Sequence, residues 1–132
     1  GMAFNAAGLG LSHGLAHALG GRFHVSHGRL NAVVLPAVMA FNASSGPTAG
    51  KYARLAWLCG LAKSPRALIS ALHRLRTGLG LPERLTACGV EEGALREGLE
   101  EVAAAALSDR CTPSNPRSAG AEELKAMLKE LM

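Results

Sequence analysis

The chain has 132 residues, a formal net charge of +4, 48% hydrophobic residues and 18% charged residues. That length suffices for one domain with a real core, and the composition excludes a disordered tail or a collagen-like fibre. Three widely spaced cysteines with no CxxC argue against a disulfide framework or a zinc knuckle and point to a reducing compartment.

The first segment, "AFNAAGLGLSHGLAHALGG", is small and apolar. Leu11, Leu15 and Leu19 recur every four residues, which predicts a helix that "GG" at 20–21 stops. A connector, "RFHVSHG", leads to a second predicted helix, "RLNAVVLPAVMAFNA", with Leu30, Val33, Val34, Val38 and Phe41 on one stripe. Pro36 inside it predicts a kink or a freed carbonyl. "SSGPTAG" reads as a loop. "KYARLAWLCGLA" is a third helix with Tyr52, Leu55 and Leu58 at helical spacing, and Cys59 reads as a buried filler. "SPRALISALHRLRTGLG" is a fourth. Ser64 is its N-cap, Pro65 its first residue, and Gly78 and Gly80 end it. His73 falls mid-helix and reads as a surface residue. "GVEEGALREGLEEVAAAALSD" is a fifth helix, rich in Glu at its start, where the helix dipole favours acids. After the turn "RCTPSNPRSAG", "AEELKAMLKELM" closes the chain as an amphipathic helix with Leu124, Met127, Leu128 and Leu131 on its face. Val and Ile are too sparse for a large sheet. The expected architecture is a single all-α domain over residues 1–132, a bundle of roughly six helices.

Charge is distributed unevenly. Residues 1–82 hold eight Lys or Arg and no Asp or Glu, whereas residues 83–132 hold ten acids against six bases. Such halves form two solvated faces of one domain, or a basic face toward an anion. Nucleic acid fits poorly, because no aromatic residue alternates with the bases. Residues 3–21 lack charge but include Asn5, His13 and His17, with no basic region in front. They are neither a membrane span nor a targeting signal, and a cytoplasmic protein is expected.

Four of the five histidines lie within "HGLAHALGGRFHVSH", residues 13–27. His13 and His17 are four apart and share a helical face. A helix that turns back after the glycine pair could bring His27 beside His13, and imidazoles so placed suit Zn, Fe, Ni or Cu. A bare HxxxH is common and often incidental. No Glu follows His13, so this is not the HExxH of a zinc protease. The stretch offers imidazoles only, since no carboxylate occurs before Glu83. Any Ser/His/Asp triad would have to use Asp109, the only Asp, and no GxSxG elbow exists. "GLGLSHG" follows no strand and ends in no Lys-Ser/Thr, so it is not a phosphate loop.

The run "GMAFNAAGLGLSHGLAHALGGRFHVSHGRLNAVVLPAVMAFN" closely resembles the signature region of the iron-containing (group III) alcohol dehydrogenases. "YARLAWLCGLA", "LRTGLGLPERLTACGV" and "NPRSAGAEELKAML" resemble that family's later helices in the same order. The resemblance covers essentially the whole chain. It implies the C-terminal, all-helical, metal-binding domain of a two-domain enzyme whose N-terminal domain binds NAD or NADP. By motif, two of the family's metal-ligating histidines fall on His13 and His27. An additional active-site histidine, linked to proton relay and to the cofactor site, falls on His17. His24 is a variable position. An Asp and a first His on an earlier helix complete the family's metal shell, and that helix and the N-terminal dinucleotide-binding domain are expected to be absent here. Ala18, Ser26 and Ala37 depart from the family pattern, where Pro is usual at the first two and His frequent at the third.

The resemblance therefore implies the helical half of an NAD(P)-dependent alcohol dehydrogenase-like oxidoreductase, incomplete and inactive alone. A divalent metal (Fe, Zn or Ni) would bind here. NAD(P) would enter only with a separate nucleotide-binding half. The alternative is a non-catalytic remnant that binds metal or self-associates through apolar surface left uncovered. Expected partners are a second copy or a separately encoded nucleotide-binding half, with neither a membrane nor nucleic acid among them.

Overall fold

The computed structural model describes residues 2–132; Gly1, the first residue of the predicted domain, lies outside them. Among the described residues there are eight α-helices and no strand. They are α1 (Met2–Ala7), α2 (Leu11–Phe23), α3 (His27–Asn42), α4 (Gly46–Leu58), α5 (Pro65–Gly78), α6 (Glu92–Glu97), α7 (Leu99–Ser108) and α8 (Ala121–Glu130). Two 3₁₀ turns, Thr86–Cys88 and Thr112–Ser114, join the later helices. The all-α expectation holds. No helix among the described residues is long and apolar enough to cross a membrane.

Helix α2 lies at the centre. It packs against α3 on one side and α7 on the other, and α8 packs on α7. Leu11, Leu15 and Leu19 of α2 are fully buried, as their spacing predicts, together with Leu30, Val33 and Val34 of α3. Leu124 and Leu128 of α8 join the same core. Each such burial is worth about 1.5–3 kcal/mol relative to exposure. A second, smaller cluster of Met39, Ala56 and Leu68 ties the α4–α5 hairpin to α3.

The boundaries differ from the sequence expectation where glycine is involved. The predicted first helix is two helices, because Gly8 takes φ +74°, a left-handed conformation that L side chains rarely adopt. The "GG" pair does not stop α2. The helix runs through it to Phe23, held by the buried Leu19 and the packing of α3, and ends at His24. That residue takes the left-handed C-cap with φ 55°, its N–H donating to the Gly20 carbonyl. The predicted fifth helix is broken at Gly98 into α6 and α7, where a weak helix former closes one and opens the other. Most of the predicted loop "SSGPTAG" is the first turn of α4, with Pro47 seated there.

One side-chain expectation in this hairpin is corrected. Leu55 and Leu58 of α4, at the predicted helical spacing, are 48% and 64% exposed, and the face that α4 turns to its main neighbour α5 buries Ala56. Cys59 is exposed rather than a buried filler, since it caps α4 at the turn that leads into α5. The start of α5 is as predicted: Ser64 Oγ accepts from the Ala67 N–H at 3.1 Å, with Pro65 next. His73 is exposed, again as predicted.

Pro36 has the second of its two predicted effects. Lacking an N–H, it leaves the Ala32 carbonyl without its helical donor. Arg76 of α5 supplies one: its Nη1 donates to the carbonyls of Ala32 (3.3 Å) and Val33 (3.4 Å), and its Nη2 reaches His73 Nδ1 at 2.9 Å. Arg76 is itself buried. Arg76→Ala should lower stability by about 1–3 kcal/mol through an orphaned buried carbonyl, measured by urea unfolding. In Pro36→Ala, whose restored N–H satisfies Ala32, the same substitution should cost less. Equal losses in both backgrounds would contradict this account.

Candidate metal centre

The crossing of α2 with α3 gathers three imidazoles. His13 and His17 stand one turn apart on α2, and His27 is the first residue of α3. The His13 and His27 ring centroids are 5.2 Å apart, those of His17 and His27 also 5.2 Å, and those of His13 and His17 6.2 Å. The sequence reading of a chain turning back to set His27 beside His13 is thus met in space. His24 holds the αL cap of α2 and is exposed, and it lines neither of the clefts at the other three histidines.

His27 and His17 each make a side-chain hydrogen bond, one within α3 and one across the fold. Asn31, one turn along α3, donates from Nδ2 to His27 Nε2 at 2.9 Å. That amide is oriented by its other bonds, because Nδ2 also donates to the His27 carbonyl and Oδ1 accepts from the buried Ser12 hydroxyl. Nε2 of His27 is therefore the nitrogen bearing the lone pair, as assigned from this hydrogen-bond network. His17 Nδ1 donates to Asp109 Oδ2 at 2.9 Å. The other oxygen of Asp109 accepts from the Cys111 backbone N–H at 2.8 Å.

Asp109 corrects the expectation of an imidazole-only site. A carboxylate is present beside the histidines, brought there by the packing of α2 on α7 from 92 positions along the chain. No local spacing could reveal it. The weak signal was that Asp109 is the only Asp of the chain, placed two residues before a cysteine in a proline-rich turn. Cys111 was missed for the same reason, whereas Asn31 lies one turn from His27 and its i,i+4 spacing was the signal that could have found it.

Charge and burial tune the groups. Burial, reinforced by the neighbouring His27 and His17, holds His13 below the ordinary imidazole value. Burial pushes Asp109 up, but the Cys111 N–H and the His17 ring outweigh it and hold the carboxyl below its usual value. Burial raises the Cys111 thiol, and its contact with Asp109 raises it further.

Two open clefts meet at the histidines. One, of about 600 Å³, runs from His13, His27 and Asn31 past Leu35, Val38 and Tyr52. The other, of about 570 Å³, holds His13, His17 and His27 with Arg110 and Cys111. An apolar trough thus leads to a polar end where nitrogen, oxygen and sulfur donors converge.

The fold is shared with solved oxidoreductases. It superposes on an iron-containing alcohol dehydrogenase from Thermococcus thioreducens with a TM-score of 0.82 and 34% identity, over 93% of this chain and 32% of that one. A 1,3-propanediol oxidoreductase gives 0.81 and 34% over 94% and 33%. By sequence, the chain is 40% identical to the 1-propanol dehydrogenase PduQ of Salmonella typhimurium, over the whole of this chain and 38% of the relative. These matches define an alcohol dehydrogenase helical domain. The chain belongs to the Fe-containing alcohol dehydrogenase family, whose C-terminal family model matches residues 1–132. It spans about a third of the length of the relatives it matches.

His13 should titrate below 6.5 in the metal-free protein, followed by its ring protons in NMR. A base whose folded value is depressed binds fewer protons than in the unfolded chain. Its contribution to stability is therefore present above 6.5 and lost as pH falls through the folded value. In His27→Ala the His13 midpoint should rise toward 6.5. A midpoint at or above 6.5 in the unmutated chain would contradict the geometry.

Proposed function

We propose that this chain is the metal-binding helical part of an NAD(P)-dependent, iron-containing alcohol dehydrogenase-like oxidoreductase, with His13 and His27 as two of its metal ligands. The observation that carries this reading is the 5.2 Å between their ring centroids. Two imidazoles bound to one ion at about 2.1 Å and a near-tetrahedral angle have centroids about 5 Å apart, so the pair fits. Ligation through His27 Nε2 exchanges the Asn31 hydrogen bond for a coordinate bond. The bound ion would supply Lewis acidity toward an alcohol or aldehyde oxygen.

The chain's own residues take the remaining roles. The trough of Leu35, Val38 and Tyr52 receives the apolar portion of a small alcohol and keeps water from it. His17 is the proton-handling group. Asp109 accepts the proton-bearing Nδ1, so the Nε2 side is the one available to exchange a proton with the reacting oxygen or with water. Two imidazoles leave a metal shell incomplete. The other ligands and the dinucleotide site come from protein outside these 132 residues, and the helical part alone is inactive. The three cysteines are free thiols, in keeping with a cytoplasmic setting.

Equilibrium dialysis against Fe(II) under nitrogen tests the ligand assignment. The His13→Ala, His27→Ala double variant should retain tenfold less iron or worse, with its fold unchanged by circular dichroism. Equal retention would remove both histidines from the site. Supplying a nucleotide-binding half from a family member should give NAD(P)-linked alcohol oxidation that the double variant lacks.

A second reading, self-association, is favoured by one observation. Leu55, Trp57 and Leu58 of α4 and Leu75 and Leu79 around the end of α5 are 48–64% exposed, a large apolar share for one hairpin. A symmetric pair could also pool His13 and His27 from two copies into a four-imidazole site suited to Zn or Ni. Sedimentation velocity should show a dimer or larger species that Trp57→Glu with Leu58→Glu converts to monomer. A monomer at all concentrations would contradict this reading.

A further inference from the structure

We propose that His17, Asp109 and Cys111 form a second cation site, distinct from the His13–His27 pair and selective for a thiophilic divalent ion of the zinc class. Their ligand atoms, an imidazole nitrogen, a carboxylate oxygen and a thiol sulfur, all lie within 4.8 Å of one another. Few residue combinations match this donor set: thiolate and imidazole together select zinc or cobalt over magnesium, calcium or manganese. The three come from elements that pack on one another. His17 is on the central helix α2, and Asp109 and Cys111 flank the turn that follows α7, with Asp109 fixed by the Cys111 N–H.

The surroundings favour a cation in two further ways. Asp109 is the C-cap of the ten-residue helix α7, so the negative end of that helix faces the site. His17 and Cys111 both line the 570 Å³ cleft, which gives an ion an entry path despite the burial of Cys111. Cys59 is on the exposed end of α4, and Cys88 lies in the main core; neither is among the residues that line this cleft.

Binding balances as follows. The ion takes the lone pair of His17 Nδ1, whose proton moves to Nε2 through solvent, and the sulfur of Cys111, whose thiol proton is released. One proton therefore leaves per ion bound, and water fills the open position. An ion seated here withdraws Asp109 and Nδ1 from the proton path assigned to His17, so zinc would inhibit the assembled enzyme. The site itself does not depend on that assignment.

The test uses the full chain carrying Cys59→Ser, which removes the exposed thiol, titrated with Co(II) under reducing conditions. The expected result is saturation of a thiolate-to-cobalt charge-transfer band at one equivalent, bleached by Zn(II). Cys111→Ser should abolish the band and Asp109→Asn weaken cobalt binding by tenfold or more, whereas the His13→Ala, His27→Ala double variant should keep it. Cadmium-113 NMR of the unaltered Cys111 chain gives a readout that needs no further substitution, with a shift expected for one sulfur among nitrogen and oxygen ligands. Absence of the band, its survival in Cys111→Ser, its loss with the His13 and His27 variants alone, or a cadmium shift without sulfur would each overturn the proposal.

Discussion

Position 14 of α2 carries no Cβ, and the site depends on that. The Thr112 side chain occupies the space a methyl group would need, and the Ala106 carbonyl lies 3.1 Å from the same point. Thr112 in turn donates to that carbonyl and so fastens the turn after α7 to the helix end. An alanine at 14 would push against both, with little slack in a packed interior. His13 and His17 flank this contact. Asp109 and Cys111 sit on the turn it anchors. The close approach of α2 to α7 thus decides whether a carboxylate and a thiol meet the histidines at all.

A second packing contact sets the other half of the site. Leu15, Leu19, Leu30 and Val34 are buried together where α2 meets α3, and this crossing brings the first residue of α3 back over the face of α2. Ser12 and Asn31 turn the crossing into a directed hydrogen-bond chain that ends on His27. His27 is therefore oriented by half-buried Asn31, itself held by the buried Ser12. Preorganisation of this kind is what a metal or proton-transfer site requires. Further along α3, Pro36 gives up a helical hydrogen bond, and the α5 hairpin arm returns a donor through Arg76. That hairpin carries the apolar trough residue Tyr52 and the exposed leucines, so the same joint links the cleft to the domain's uncovered surface.

Much of this was legible in the residues. Leu11, Leu15 and Leu19 reveal their buried stripe by spacing, Ser64–Pro65 announces a helix start, and the terminal amphipathic helix has only one face to bury. His13 and His17 could be paired because helical spacing relates them, and His27 could be added through a chain that turns back after α2 and through the family motif. What escaped the sequence was tertiary. Asp109 reaches His17 across 92 positions, and no periodicity encodes that pairing. Gly8 and the "GG" pair look alike as breakers, yet only Gly8 adopts positive φ, because packing on α3 holds the helix straight through the other two. Leu55 and Leu58 have core spacing and lie exposed, since periodicity reports a face without saying whether anything covers it.

The domain therefore presents a donor set assembled from two helix contacts, with family membership placing it in the C-terminal region of a metal-dependent enzyme class. The central claim is that His13 and His27 hold a divalent ion between them. The most direct measurement is an anomalous difference map from crystals grown with iron, recorded at the iron absorption edge. The account predicts a peak within coordinate-bond distance of one nitrogen from each ring, with the Asn31 amide withdrawn from His27 Nε2. A well-ordered map with both rings in place, the Asn31 bond intact and no anomalous density between them would contradict it.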